Sequence, residues 1–360
     1  MEKKYQTVTD TIQRWITSGQ YKENDKLPTE SDLMTQFDVS RHTVRKALGE
    51  LETVGFVYRV QGGGTYVAER AKRTVATMQS VAVMATHIND YIFPSIISGI
   101  ERVLSEQSVS LMLSSTENNE NIEAKNLSKL MNSAIDGLIV EPTRSAFTVK
   151  NEAIYTQLSQ NHVPIVTMNA KFKTLQAPYF VMDDFQGGQM ATEYLLKHNH
   201  KHILGIFKTD DQQGVDRMNG YVHALQKVNQ PNSALTLFYQ SGKAEERIGD
   251  RLRALFAQPT RPTAMICYND KIAVLAYNIA QTMGIQVPEE LSIIGFDNSS
   301  LASSYGLHLT SVNHPKAEMG RDAAKLMLRM IQNPNKDFMA ESKVYAPELV
   351  IGESVVDAEK

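Results

Sequence analysis

Four basic side chains crowd the start of one short segment: Arg41, His42, Arg45 and Lys46. Ser40 stands just before them and suits a helix N-cap, its hydroxyl accepting from the free backbone N–H groups of the first turn. Val44, Ala47, Leu48 and Leu51 recur at i, i+3, i+4 and i+7, so one face of this helix turns inward and the basic residues lie off it. A helix that enters the major groove of duplex DNA presents its N-terminal residues to the base edges. Arg45 can grip guanine at two atoms, while Arg41, His42 and Lys46 can hold phosphates. A solvated cationic face accounts equally well for these four residues taken alone.

A second set of polar side chains follows apolar runs along the rest of the chain. Glu141 follows 137–140, Asn169 follows 164–168, Lys208 and Asp210 follow 202–207, Asn269 and Asp270 follow a run ending near Ile266, and Asp297 follows 291–295. Arg217 falls in the first turns of a helix beginning near Gly214, and Tyr91 and Phe93 lie in the loop after the first run. Planar carboxylates, amides and guanidinium groups bind vicinal hydroxyls in pairs, and an aromatic face covers the apolar side of a sugar ring. A site matched to hydroxyls also rejects analogues that lack one, because its buried polar groups are then left unpaired. Each of these residues also has a plain alternative role as a turn former or helix cap, Asp270 and the pair Asp183-Asp184 above all.

The elements that position the first set are short. Tyr5, Val8, Ile12, Trp15, Ile16 and Gly19 trace a helix with one buried face. Pro28 stops the chain, and Thr29 with Asp32 reads as a capping box for a second helix through Phe37. After the basic helix, 56–60 and 65–67 are β-rich and are joined by Gln61-Gly62-Gly63-Gly64. Glycines at a hairpin tip permit positive φ and close approach to another backbone. Such a wing suits the minor groove or the sugar-phosphate edge, with Gln61 as its polar reader. No P-loop lysine follows the glycines, so they are weak grounds for a nucleotide site.

From residue 80 onward strands alternate with helices. The strands are expected at 81–85, 109–113, 137–140, 164–168, 202–207, 235–239, 263–266 and 291–295. The helices are expected at 96–106, 122–131, 188–196, 214–228, 245–256, 270–283 and 316–331. This alternation predicts parallel sheets covered on both faces. The stretch 80–360 is more than one open sheet holds comfortably, so two similar lobes are the economical arrangement. Open α/β sheets bind ligands at the carboxyl ends of their strands, and those ends can face one another across a cleft.

Composition sets outer bounds. The chain has 360 residues, 42% of them hydrophobic, and a net charge of −3, so basic residues must act locally on nucleic acid. Its one cysteine, Cys267, excludes disulfide frameworks and cysteine metal sites. There is no apolar run of membrane-spanning length and no leader-like start, which predicts a cytoplasmic protein. The stretch 69–79 is short and polar, with Arg70, Lys72 and Arg73. His198, His200 and His202 alternate at a helix end, where histidine suits the dipole, and no acidic or cysteine ligand of matching spacing stands near, so no metal is expected. Glu141, Asp183 and Asp297 include the carboxylates a glycosidase pair would need, but no hydrolase motif accompanies them.

From Lys4 to about Ala68 the chain resembles the GntR-type winged helix-turn-helix. The match is carried by Pro28-Thr29-Glu30, by the run from Val39-Ser40-Arg41 through Leu51, and by Gly62-Gly63-Gly64-Thr65-Tyr66-Val67. The resemblance implies that Arg41, Thr43 and Arg45 lie at recognition-helix positions, and that Gln61, Gly62 and Gly63 form the wing tip. It implies further that Glu30 supports the recognition arginines and that Lys4 and Tyr5 face the operator backbone. From Ser80 to about Gly352 the chain looks like the effector domain of LacI/GalR-type regulators. That match rests on Asp216-Arg217-Met218-Asn219-Gly220-Tyr221, Cys267-Tyr268-Asn269-Asp270, the run from Val287 to Asp297, and Leu309-Thr310-Ser311-Val312. It implies effector contacts at Arg217, Asn269, Asp297 and His314, with Glu141, Asn169 and Tyr91 carried over less directly. The LacI-type head and its hinge helix are replaced here, so DNA-contact rules of that head do not transfer.

The pairing of the two parts is similar to a family of arabinose-responsive repressors, which implies L-arabinose or a related pentose as allosteric effector. The expected molecule is α/β. Residues 1–69 form a winged helix-turn-helix domain, 70–79 a linker, and 80–360 a two-lobed, periplasmic-binding-protein-like domain that also dimerises. It is expected to be a homodimeric repressor on double-stranded operator DNA, released by the sugar, with no cofactor and no enzymatic activity. A sugar-processing enzyme with an accessory DNA-binding head is the alternative.

Overall fold

The computed structural model describes residues 4–17, 19–53, 55–60, 62–68, 79–88, 92–172, 174–228, 235–242 and 247–358. Gln61, Tyr91 and the expected linker positions 70–78 lie outside the described residues. The chain divides into two compact units, Met1–Met78 and Gln79–Lys360.

The first unit holds α1 (Lys4–Thr17), α2 (Glu30–Phe37), α3 (Arg41–Thr53), β1 (Val57–Val60) and β2 (Gly64–Val67). The capping box that opens α2 is complete: the Thr29 hydroxyl accepts from the Asp32 N–H, and the Asp32 carboxylate accepts from the Thr29 N–H. At α3 the Ser40 hydroxyl accepts from the Thr43 N–H at 3.3 Å. Val44, Ala47, Leu48 and Leu51 are fully buried and meet Val8, Ile12, Leu33, Val57 and Val67 in one core. Gly19, expected on the first helix, instead stands beyond its end in a left-handed conformation (φ +77°), with its N–H on the Ile16 carbonyl. The hairpin pairs Val57 with Val67 and Val60 with Gly64. Gly62 and Gly64 both have positive φ, the conformation for which only glycine is unstrained.

The second unit runs β3 (Ser80–Ala85), α4 (Phe93–Ser105), β4 (Ser110–Ser115), α5 (Glu120–Met131), β5 (Gly137–Val140), α6 (Glu152–Gln160), β6 (Ile165–Met168), β7 (Tyr179–Met182), α7 (Asp184–Lys197), β8 (Ile203–Lys208), α8 (Gln212–Lys227), β9 (Leu235–Tyr239), α9 (Ile248–Phe256), β10 (Ala264–Cys267), α10 (Asp270–Thr282), β11 (Ser292–Asp297), β12 (Thr310–Asn313), α11 (Lys316–Gln332), β13 (Lys343–Tyr345) and β14 (Leu349–Val350). One six-stranded sheet has the order β13-β7-β6-β5-β3-β4 and is parallel throughout. The other has the order β14-β12-β11-β10-β8-β9 and is parallel except for β14. Strands β5, β6, β8, β10 and β11 are buried at every residue, as strands covered on both faces must be.

The chain passes between the lobes three times: from β7 to α7, from β12 to α11, and from β13 to β14. Every strand and helix expected after residue 80 is present, most with shifted ends; α9 starts at Ile248, and 245–246 of its expected start lie outside the described residues. Helix α6 and strands β7, β12, β13 and β14 were not anticipated. Strands of two to four residues, such as the polar Thr310–Asn313, carry too little periodicity to stand out. Among the described residues no helix is long and apolar enough to cross a membrane.

Candidate functional site

Two surfaces gather the residues singled out above. On the first unit, the Arg41 and Arg45 side chains are 62% and 64% exposed. Glu30, the first residue of α2, accepts from the Arg45 Nε–H with both carboxylate oxygens, at 3.0 and 3.2 Å, and lies 3.9 Å from the Arg41 Nε. A carboxylate on Nε steers the outer edge of the guanidinium away from it, which is the edge that pairs with guanine. His42 is exposed beside these arginines. Thr43 is half-buried, and its hydroxyl lies 2.9 Å from that of Ser40, so it belongs to the helix start. The Lys46 ammonium sits 4.0 Å from the centroid of the Tyr5 ring. Lys4 opens α1, but its side chain lies outside the described residues. At the hairpin, Tyr58 and Tyr66 stack at 5.6 Å beneath the Gly62-Gly63 tip.

In the second unit a cleft of about 740 Å³, its open mouth included, separates the lobes. Phe93, Glu141, Lys208, Arg217, Asn269 and Asp297 line it, all from the expected set. So do Thr86, Asn118, Asp211 and Tyr268, none of them in the expected set. Tyr268 directly follows β10 and was hidden by its ring; Asn118 lies just past β4.

Glu141 is buried and accepts from the Thr86 N–H (2.8 Å), the Thr86 hydroxyl and the Asn169 amide (3.0 Å). Burial raises its carboxyl, and those donors oppose the rise. Lys208 is 3.1 Å from Asp211, which also caps α8 and accepts from the Tyr268 hydroxyl at 2.7 Å. Burial works against the Lys208 charge, but Asp211 and Asp210 overcome it and raise the ammonium above its ordinary value.

Arg217, on α8, is buried and makes a convergent set of contacts. Its Nε–H donates to Asp184 at 2.8 Å, its Nη1 donates to the Tyr268 carbonyl at 2.6 Å, and its guanidinium carbon lies 3.5 Å from the Phe296 ring centroid. Burial disfavours this charge, yet Asp184 and then Asp297 hold the group firmly ionised. Burial also pushes Asp184 up, to about 6, with Arg217 working the other way. Asp184 reaches Arg217 because α7 and α8 touch: a Cβ on Gly188 would run into the Arg217 carbonyl, and one on Gly220 into that of Phe185. Asn269 both lines the cleft and caps α10, its oxygen accepting from the Ile272 N–H at 3.0 Å. The capping role expected for Asp270 therefore falls to Asn269. Asp270 instead accepts from the Ser299 N–H and from the hydroxyls of Ser299 and Ser311. Asp297 has φ +100° and Asn298 φ +47°. Non-glycine residues held there cost about 1–3 kcal/mol each, strain that concentrates at ligand sites.

Asn169 and His314 do not line the cleft. Both are buried behind Glu141, where the Asn169 oxygen meets His314 Nε2 at 3.1 Å. Bonds also cross the cleft mouth. The Asn118 amide donates to Asp210 (3.1 Å) and Ser241 (2.9 Å), and the Gln212 N–H donates to Ser145 (2.9 Å). The histidine run faces elsewhere: His198 meets Asp357, and His200 meets Thr263 and the Val356 carbonyl. Asp183 caps its own helix by accepting from the Gln186 N–H.

The buried chain behind Glu141 has a pH consequence. Asn169 turns its amide nitrogen to Glu141, so its oxygen accepts and His314 Nε2 carries the proton. His314 Nδ1 is buried without a partner. Burial, then Lys316 and Arg217, push His314 down to about 3. A folded value below the unfolded one, about 6.5, gives stability that is present above pH 6.5 and lost as pH falls toward 3, about 2 kcal/mol of it by pH 5. The unfolding free energy of the second unit should fall by that amount between pH 7 and pH 5, and His314→Gln should remove this part of the slope. An identical slope in the variant would assign the effect to other groups.

Residues 4–67 match the bacterial regulatory proteins of the gntR family, and residues 192–355 match the periplasmic binding protein-like domain. The chain is 39% identical over 356 residues to an arabinose metabolism transcriptional repressor of Geobacillus stearothermophilus, covering 98% of this chain and 97% of that one. It is 38% identical over 370 residues to the protein of the same name from Halalkalibacterium halodurans, covering 99% and 98%. A solved LacI family transcriptional regulator from Enterococcus faecium, with bound ribose, shares the fold: TM-score 0.68, 24% identity, 78% of this chain and 100% of that one. Identity at this level runs through both the winged head and the two-lobed unit, and on that ground the chain belongs to the family of arabinose metabolism transcriptional repressors.

Proposed function

We propose that this chain is a sugar-responsive transcriptional repressor: its first unit docks on operator DNA, and a pentose, L-arabinose, bound in the interlobe cleft releases it. The observation that carries the reading is the cleft itself. Glu141 from one lobe and Lys208, Arg217, Asn269 and Asp297 from the other are brought to one water-accessible space, most of them already held by second partners. Carboxylate, amide and guanidinium groups at fixed positions suit the hydroxyls of a small sugar, and Phe93 and Tyr268 offer apolar faces. On the DNA side, Arg45 oriented by Glu30 reads a base edge. Arg41, His42, Thr43, Lys4 and Tyr5 meet the backbone, and Gln61, Gly62 and Gly63 bring the wing to a neighbouring groove.

Release requires the sugar to bind the DNA-free form more tightly than the DNA-loaded form, by linkage. A homodimer supplies the lever, because a shift of the lobes changes the spacing of two heads over two half-sites. The chain acts as a regulator rather than an enzyme, a reading supported by the repressor names of its full-length relatives.

The test is calorimetric titration with L-arabinose, D-xylose, D-ribose and D-glucose, with and without a duplex selected from a random pool by the protein. Micromolar-to-millimolar binding of L-arabinose, weakened when the duplex is bound, is the expected result; binding indifferent to DNA would sink the release mechanism. Operator affinity should also fall by about 10³–10⁵ between 50 and 200 mM salt if the dimer neutralises about 6–10 phosphates. A flat salt profile would rule out the phosphate-gripping helix.

A further inference from the structure

The third residue after β12 is Lys316, which opens α11, and all three of its donors are committed. Its ammonium donates to the carbonyls of Asp297, Asn298 (3.1 Å) and His314 (3.2 Å). Only the protonated amine has three N–H donors, so these carbonyls require the cation. Two of them belong to the left-handed pair Asp297-Asn298 at the end of β11.

The lysine is itself fixed from the opposite lobe. Helix α11 lies against α4 so closely that a Cβ on Gly320 would run into the Ile96 carbonyl, and one on Gly99 into the Ala317 carbonyl. A side chain rooted in one lobe therefore holds a strand end of the other. On the same crossover, His314 reaches back through Asn169 to Glu141.

We propose that Lys316 is a positioning residue for the effector response: its ammonium stabilises the left-handed turn at Asp297-Asn298 and so aims Asp297 into the cleft, yoking Asp297 and Glu141 to one crossover between the lobes. This rests on the reading of the cleft as the L-arabinose site. A mere fold-stabilising lysine would be replaceable without changing sugar recognition. A yoke would not, because the Asp297 and Asn298 carbonyls lose the cation they share, while the bonds of the Asn298 N–H to Ser311 and of the Ser299 N–H to Asp270 hold the turn only from the far side.

Lys316→Met keeps an unbranched apolar side chain of nearly the same length and removes the donors. Its Kd for L-arabinose, by calorimetry on the full chain, should rise at least tenfold, while operator affinity without sugar stays within twofold of the parent. Lys316→Ala should show the same loss and recover to within about threefold on addition of ethylammonium, whose three donors fit the cage, but not of tetramethylammonium, which has none. An unchanged Kd in Lys316→Met with a lowered unfolding midpoint would overturn the proposal and leave a structural lysine. Should Lys316→Met fail to fold, Lys316→Ala with and without ethylammonium decides: no recovery overturns it. A parent chain that binds no L-arabinose removes the effector reading instead, so the two failures are distinct.

Discussion

Arg217→Ala should abolish the response to sugar and at the same time destabilise the second unit. Two charge-assisted contacts of the guanidinium, to Asp184 and to the Tyr268 carbonyl, fix it against the Phe296 ring. The remaining N–H groups supply the donors that a sugar hydroxyl pair would use. Hydrogen bonds to charged groups are worth about 1.5–3 kcal/mol each, so losing two should weaken L-arabinose binding by about a hundredfold or more. Asp184 is 5% exposed, and truncating its partner leaves an uncompensated buried carboxylate, a cost of about 3–5 kcal/mol. Operator binding should survive, leaving repression that sugar cannot lift. The double variant Arg217→Met, Asp184→Leu separates the two effects. Replacing a buried ion pair by apolar residues of similar size is often neutral, so stability should return while sugar binding does not. Calorimetry and thermal unfolding on the three proteins check this, and parent-like sugar affinity in Arg217→Ala would remove the arginine from the site.

The second large effect is on DNA. Arg45→Ala should weaken operator binding by about five- to a hundredfold, the equivalent of about 1–3 kcal/mol for a bidentate base contact, and relax the preference at one base pair per half-site. L-arabinose binding should be untouched. Glu30→Gln is the informative companion. It keeps the size of the side chain but loses the charge that holds the Arg45 Nε at 3.0 Å, so it should lower discrimination between sequences more than non-specific affinity. The solvated-face alternative for these residues predicts the opposite, with both variants binding every duplex as the parent does. Fluorescence anisotropy with matched and single-mismatch duplexes distinguishes the outcomes.

Much of this architecture was legible from local patterns. The stripe Val44, Ala47, Leu48, Leu51 announces a helix because a 3.6-residue period can bury only one face, and the structure buries all four. The Thr29–Asp32 capping box is equally local, since both partners lie within three residues. Likewise the apolar runs of β8, β10 and β11, each set between helical patterns, read as strands covered on both sides. The carboxyl-end rule then led to Glu141, Lys208, Asn269 and Asp297, because in parallel sheets the polar residue after a strand must emerge at the same edge, and Arg217 came from the first turns of the helix that follows β8.

The sequence by itself thus determined most of the elements, the two kinds of unit, and the edge of each sheet at which polar groups collect, all of which follow from short-range periodicity and capping. Only the tertiary structure decided which of those groups face the cleft and which, like Asn169 and His314, stand behind it. It also supplied the partners that sequence reading missed: Asp184, 33 residues from Arg217; Thr86, 55 from Glu141; and Asn118, 92 from Asp210. Those pairings depend on how closely helices and lobes pack, down to the absence of a Cβ at Gly188 or Gly320, and no local period encodes a distance between elements so far apart in the chain.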